Sequence, residues 1–187
     1  ELALPSWAGK AETASVLERL GSVYAKQGNV EYAVPLYLRA LSQLPLKDAD
    51  PAAATPTSLC RAAVLFNNLS ELFAQRAMTA GAEGKGEDGA ELGQALLWGQ
   101  RAVDVLREAG RLGLEGAEDP EACRRTSVVV QTNQATLLEM KGDLRSAEVL
   151  FTSAHRLADQ VRWSEAYNQA MLGLRRVQRA RGKQPPP

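Results

Sequence analysis

The 187-residue chain has little of what catalytic and cofactor-binding sites are commonly built from. It holds one histidine, His155, which excludes any site needing two imidazoles. Its two cysteines, Cys60 and Cys123, are too few for a disulfide-dense scaffold or a zinc site built on four thiolates. Aromatic residues are only 5% of the chain. The 22 basic residues balance the 22 acidic ones, so the net basic surface of a general polyanion binder is missing and no nucleic-acid partner is expected. No apolar run approaches the roughly 18 residues that a membrane span needs. The glycines of GAEGKGEDG, residues 81–89, follow no strand pattern and precede no Lys-Ser or Lys-Thr, so they do not read as a phosphate loop. Neither HExxH nor GxSxG occurs. The expectation is a chain without enzyme activity, cofactor or metal.

What is present is ordinary for one globular domain spanning 1–187: 45% hydrophobic and 24% charged residues, rich in the helix formers Ala and Leu. An internal repeat stands out. Residues 14–47 read ASVLERLGSVYAKQGNVEYAVPLYLRALSQLPLK. Leu20-Gly21, Tyr24, Gly28, Ala33, Tyr37, Ala40 and Pro45 fall at the spacings of the tetratricopeptide repeat, a 34-residue helix–turn–helix unit, with Leu17 where that pattern often has Trp. Small residues (Gly21, Ala33, Ala40) let antiparallel helices approach, Gly28 suits a left-handed cap, and Pro45 stops the second helix. A degenerate copy over 120–160 carries Ala135, Leu138, Gly142, Ala147, Phe151 and Ala154, with Gln134 where Leu is expected. A third copy, 60–110, has Phe66, Leu69, Ser70 and Phe73 in its first helix and Ala95, Gly99 and Ala102 in its second. The Gly- and acid-rich stretch between them predicts an inserted flexible loop over 78–92. Residues 46–58 and 110–120 read as further loops, the latter ending on Asp119 as a cap and Pro120 in a first helical turn. Trp163, Tyr167, Ala170, Met171, Leu174 and Val177 mark an amphipathic helix over 162–181. The expected fold is all-α: three helix pairs plus a C-terminal capping helix, a short solenoid with long loops interrupting its repeats.

The chain is thus identified as a member of the tetratricopeptide-repeat proteins, and the resemblance implies a right-handed superhelix whose concave face takes a peptide. The first-helix positions facing that groove are Ser15, Glu18, Ser22 and Lys26 in repeat one. In repeat two they are Val64, Asn67, Asn68, Glu71 and Gln75, and in repeat three Val129, Thr132, Asn133, Thr136 and Met140. Asn68 and Asn133 occupy the same repeat position. A side-chain amide offers both donor and acceptor and so grips an extended backbone without reading its side chains. The same positions serve equally as solvated polar surface. Domains that hold the acidic C-terminus of cytosolic chaperones use Lys, Asn, Asn, Lys and Arg where this chain has Glu18, Ser22, Asn68, Val129 and Asn133. Only Asn68 agrees, so chaperone-tail binding is not expected.

The layout opening with ETASVLERLGSVYAKQGNVEYAVPLYLRAL and continuing with RAAVLFNNLSELFAQ is similar to a fungal mitochondrial group that includes the tetratricopeptide adaptor of the inner-membrane i-AAA protease. The resemblance implies a non-catalytic adaptor that recruits extended or unfolded substrate segments to that protease. It also implies a location at the inner membrane facing the intermembrane space, with a membrane anchor outside residues 1–187; without it, a cytoplasmic location is expected. The chain begins at Glu1 rather than Met, which suits a processed or shortened piece. The alternative is a structural scaffold or assembly-factor subunit that binds one partner through the convex face, the loops or a basic patch on the cap helix. That patch is Arg175, Arg176 and Arg179, with Arg181 and Lys183 beyond; it also reads as plain solvated surface. Cys60 and Cys123 fall near the starts of neighbouring first helices, which leaves open a disulfide and an oxidising compartment. Two unrelated thiols are the favoured reading. His155 reads as an ordinary helix residue.

Overall fold

The computed structural model describes residues 6–46, 54–82 and 88–182. Within them are seven α-helices and no strand: α1 Ser6–Lys26, α2 Val30–Ser42, α3 Pro56–Ala82, α4 Asp88–Leu112, α5 Pro120–Lys141, α6 Leu144–Gln160 and α7 Ser164–Gly182. A short 3-10 turn, Leu114–Gly116, interrupts the connection from α4 to α5. The helices pack as consecutive antiparallel neighbours. Every helix–helix contact among the described residues joins elements one or two places apart in the chain. The first and largest buried core draws on α1 to α5, and two smaller ones lie among α5, α6 and α7.

Two of the tight reversals have the same chemistry. At Gly28 (φ 76°) and Gly142 (φ 86°) the chain enters the left-handed region that glycine tolerates without a Cβ clash. There Asn29 N donates to Tyr24 O, and Asp143 N donates to Leu138 O, at 2.9 Å each. The reversal from α6 into α7 makes the same bond, Trp163 N to Ala158 O at 2.9 Å, but places Arg162 at φ 52°. Asp143 then caps α6 by accepting from Ser146 N at 3.1 Å, and the Ser146 side chain, with this backbone bond, holds its carboxyl below the usual range.

The second helix of each pair presents a repeated triplet. Ala33 and Ala40, Ala95 and Ala102, and Ala147 and Ala154 are each seven residues apart and fully buried. Between them stand Tyr37, Gly99 and Phe151. A Cβ added at Gly21 of α1 would meet the Tyr37 ring at 2.8 Å, and one added at Gly173 of α7 would meet the Phe151 ring at 2.4 Å. The middle pair lacks the aromatic, and Gln134 of α5 reaches over from the next pair instead: its Oε1 lies 2.0 Å from where a Gly99 Cβ would be. Gln134 Nε2 donates to Leu96 O at 3.3 Å, while its buried Oε1 has no partner.

The expected loop over 78–92 is corrected. Helix α3 continues to Ala82 and α4 already begins at Asp88, so a connection of that length is absent. The stretch carries the helix formers Ala and Glu as well as Gly. The extended helices are tied to each other, Arg76 Nη2 lying 3.0 Å from Glu91 Oε1, so packing overrides the weak local propensity. Helix α1 starts earlier than the repeat pattern does, at Ser6 rather than residue 14. The cap helix runs Ser164–Gly182 rather than 162–181, because Arg162 and Trp163 form the reversal. Residues 47–53 of the first loop, Glu83 to Glu87 of the second, and Lys183 lie outside the described residues.

A side chain in the left-handed region costs roughly 1 kcal/mol relative to glycine. Arg162→Gly is therefore expected to raise the melting temperature by a few degrees, measured by thermal unfolding followed by circular dichroism. An unchanged or lower midpoint would contradict the strain assigned to that turn.

Candidate functional site

Helices α3 and α5 begin alike. Thr55 and Ser58 cap α3 reciprocally, Ser58 N donating to Thr55 Oγ1 at 3.1 Å and Thr55 N to Ser58 Oγ at 3.0 Å, with Pro56 as the first helical residue. Asp119 caps α5 by accepting from Ala122 N at 2.9 Å, with Pro120 in the first turn. Cys60 and Cys123 stand five and four residues beyond these caps, so two helices lying side by side bring them opposite each other. They form a disulfide with Cα atoms 5.6 Å apart, which corrects the favoured reading of unrelated thiols.

Beside the disulfide opens a cleft of about 500 Å³. Thr57, Arg61 and Val64 line it from α3; Ala122 and Thr126 line it from α5, with the end of the preceding loop. That loop is pinned to α3: Glu118 N donates to Thr57 Oγ1 at 2.8 Å, and Arg61 Nη2 pairs with Glu118 Oε2 at 3.1 Å. Arg61, Val64, Asn68, Glu71 and Gln75 recur at threes and fours, so they lie along one side of α3 that leads away from the cleft.

Further along, a polar network joins α3 to α5. Buried Asn67 donates from Nδ2 to Glu71 Oε1 at 2.9 Å. Asn133 Nδ2 donates to Asn67 Oδ1 at 3.0 Å and to Glu71 Oε1 at 2.7 Å. Three of the expected groove residues are thus brought together, though Asn133 meets Asn67 and not its repeat equivalent, Asn68. Asn68 is half-buried, and its amide makes no hydrogen bond among the described residues. Thr136 Oγ1 donates to Thr132 O at 2.9 Å, and the buried Thr132 hydroxyl is without a partner. Lys26, Gln75 and Met140 are exposed.

On α1, Ser22 Oγ lies 3.0 Å from Glu18 O and 3.1 Å from the Tyr37 hydroxyl, so Ser22 serves the α1–α2 contact rather than an open surface. Burial, the Glu18 and Glu71 carboxylates pushing the same way, raises the Tyr37 pKa, against a smaller opposing effect of the Ser22 hydrogen bond. Burial also raises Glu18, with Arg61 and Arg19 pulling it back. Sequence reasoning missed Arg61 and the cysteine bridge as parts of this surface. The similar placement of the two cysteines, five and four residues beyond their caps, was the available signal.

The basic patch on α7 is only partly free. Arg176 makes a two-pronged contact with Glu139 of α5, Nε to Oε1 at 3.0 Å and Nη2 to Oε2 at 2.8 Å, which raises its pKa. Arg181 pairs with Glu148 of α6, and Gln178 joins the same carboxylate. These contacts correct the patch, because α7 lies across both α5 and α6 and so meets their carboxylates. Arg175 and Arg179 remain exposed. His155 packs against Tyr167 with ring centroids 4.1 Å apart and the rings tilted by 39°, and its buried Nε2 has no partner among the described residues. No group of three or more His, Cys, Asp or Glu among the described residues is placed to hold a metal. No described helix is long and apolar enough to cross a membrane.

No protein-family model, curated protein or solved structure matches the chain. The site therefore stands on its own geometry.

Two outcomes are expected. The disulfide closes a loop of 63 residues, which chain-entropy arithmetic values at about 4 kcal/mol. The Cys60→Ser/Cys123→Ser variant should unfold roughly 5–15 °C lower, with the parent falling to match under strong reductant; equal midpoints would show that the bridge constrains nothing. The folded chain also holds the Glu18 proton more tightly than the unfolded one, so relative stability falls as pH rises through the raised pKa. Glu18→Gln should be more stable than the parent at about pH 7, and the gap should close at about pH 4, as read by urea unfolding.

Proposed function

We propose that the chain is a short tetratricopeptide solenoid acting as a non-catalytic adaptor, whose groove along α1, α3 and α5 binds extended or unfolded protein segments. The observation that carries this reading is the amide network joining α3 to α5. Both Asn133 N–H groups are committed to Asn67 and Glu71, which fixes the side chain and leaves its Oδ1 as an acceptor. Asn68, one residue from Asn67, keeps a whole amide for a bound backbone. Fixed amides lower the ordering cost of binding and select for main chain over side chain, which suits loosely specific capture. The near-neighbour packing and the repeated Ala triplets support the solenoid architecture.

The disulfide supports an oxidising compartment. With the sequence resemblance, we place the domain at the mitochondrial inner membrane, facing the intermembrane space, delivering substrates to an i-AAA protease. A second reading is favoured by exposed Arg175 and Arg179: a scaffold subunit that holds one acidic partner through α7.

Fluorescence anisotropy with a panel of labelled unstructured peptides distinguishes them. The Asn68→Ala/Asn133→Ala variant is expected to lose at least about tenfold in affinity across the panel, with an unchanged helical spectrum. The Arg175→Ala/Arg179→Ala variant is expected to bind as the parent does. Loss with the arginine pair and retention with the asparagine pair would overturn the groove reading in favour of the scaffold.

A further inference from the structure

Helix α1 is apolar on two sides. One side, Ala14, Leu17 and Gly21, is buried against the rest of the fold. The other carries Gly9, Thr13, Val16, Leu20 and Val23, at alternating steps of four and three, and all five are exposed. Val16 is 64% exposed, Leu20 43% and Val23 51%. That spacing is the seam of a coiled coil, not of a solvated helix face. Tyr32 of α2, 64% exposed and stacked on Tyr24 at 5.3 Å, widens the apolar surface at one margin. Along the other margin run Glu12, Arg19 and Lys26, seven residues apart. Neither Glu12 nor Lys26 has an ion-pair partner among the described residues.

From this pattern we infer that α1 is a self-association surface whose occupant is α1 of a second copy of this chain, running antiparallel. Antiparallel seam packing sets Val16 opposite Leu20 of the second copy and Thr13 opposite Val23. The same register sets Glu12 opposite Lys26, and by the two-fold symmetry Lys26 opposite Glu12. Both free charges are satisfied at once. Parallel pairing would set Glu12 towards Leu17, which is buried, so the charge pattern selects the antiparallel arrangement. Arg19 sits on the two-fold axis against its own mate, a like-charge meeting that weakens the contact. One helix stripe also covers less than the roughly 1,200 Å² of a standard interface. The association is therefore weak, and is set by local concentration.

Sedimentation equilibrium tests it with exposed charges only, so the fold is undisturbed. The parent is expected to move from 20.2 kDa toward twice that mass as its concentration enters the high-micromolar range. Glu12→Lys alone sets lysines against lysines, and Lys26→Glu alone sets carboxylates against carboxylates. Each should weaken association by about tenfold or more. An equal mixture of these two variants again sets opposite charges together at both positions and should restore it. The inference is overturned if the parent stays monomeric at these concentrations, if the single variants associate as the parent does, or if the mixture fails to recover.

Discussion

The rest of this structure hangs on α3 and α5 lying side by side with their N-termini level. They belong to different helix pairs, so their contact, together with that of α4 on α5, joins the first half of the chain to the second. Two kinds of bond enforce it. The Cys60–Cys123 bridge holds the helix starts, and the Asn67–Glu71–Asn133 network holds them further along. The apolar contribution at this seam is modest, since α5 gives the large first core only Cys123 and Val130. A covalent tie and a charge-assisted network supply directional constraint where burial alone is thin.

The same seam shows how irregular repeats remain compatible. In the first and last pairs an aromatic side chain of the second helix rests on a glycine. The middle pair has Gly99 in the aromatic's place, and a residue from the next pair, Gln134, enters the gap. Gln134 is buried with one amide atom unsatisfied, so this solution is energetically poorer than Leu against an aromatic. It does make α4 and α5 interlock, and the break between pairs becomes a point of attachment.

Helix α7 closes the other end. Val177 and Gly173 meet the apolar side of α6, with Val177 in the cluster built on Phe151 and Ala147. Arg176 and Arg181 turn what reads as a basic surface into ties to α5 and α6. At the opposite end, α1 has no such cover among the described residues, and its exposed Val16, Leu20 and Val23 are the converse of the sealed face beneath α7.

Local chemistry was legible in the sequence wherever it depended on neighbours in the chain. The helices followed from spacing, the reversals at Gly28 and Gly142 from glycine's freedom at positive φ, and the start of α5 from Asp119 and Pro120. Threes and fours also brought Asn67, Glu71 and Asn133 into one candidate set, and the structure joins these three by hydrogen bonds. What depended on the rotation of one helix against another was not legible. Whether Asn133 meets Asn67 or Asn68 is a matter of about 100° around α3, which no repeat alignment fixes. The helical continuation through Ala82 and from Asp88 required the packing of α3 on α4 to outweigh glycine. The partners of Arg176 and the junction of the two cysteines lie 37 and 63 residues away along the chain. Sequence determined the elements and their order through short-range sterics and hydrogen bonding. Only the tertiary structure decided which side chains meet, because those meetings are set by interhelical geometry, to which every residue at the seam contributes.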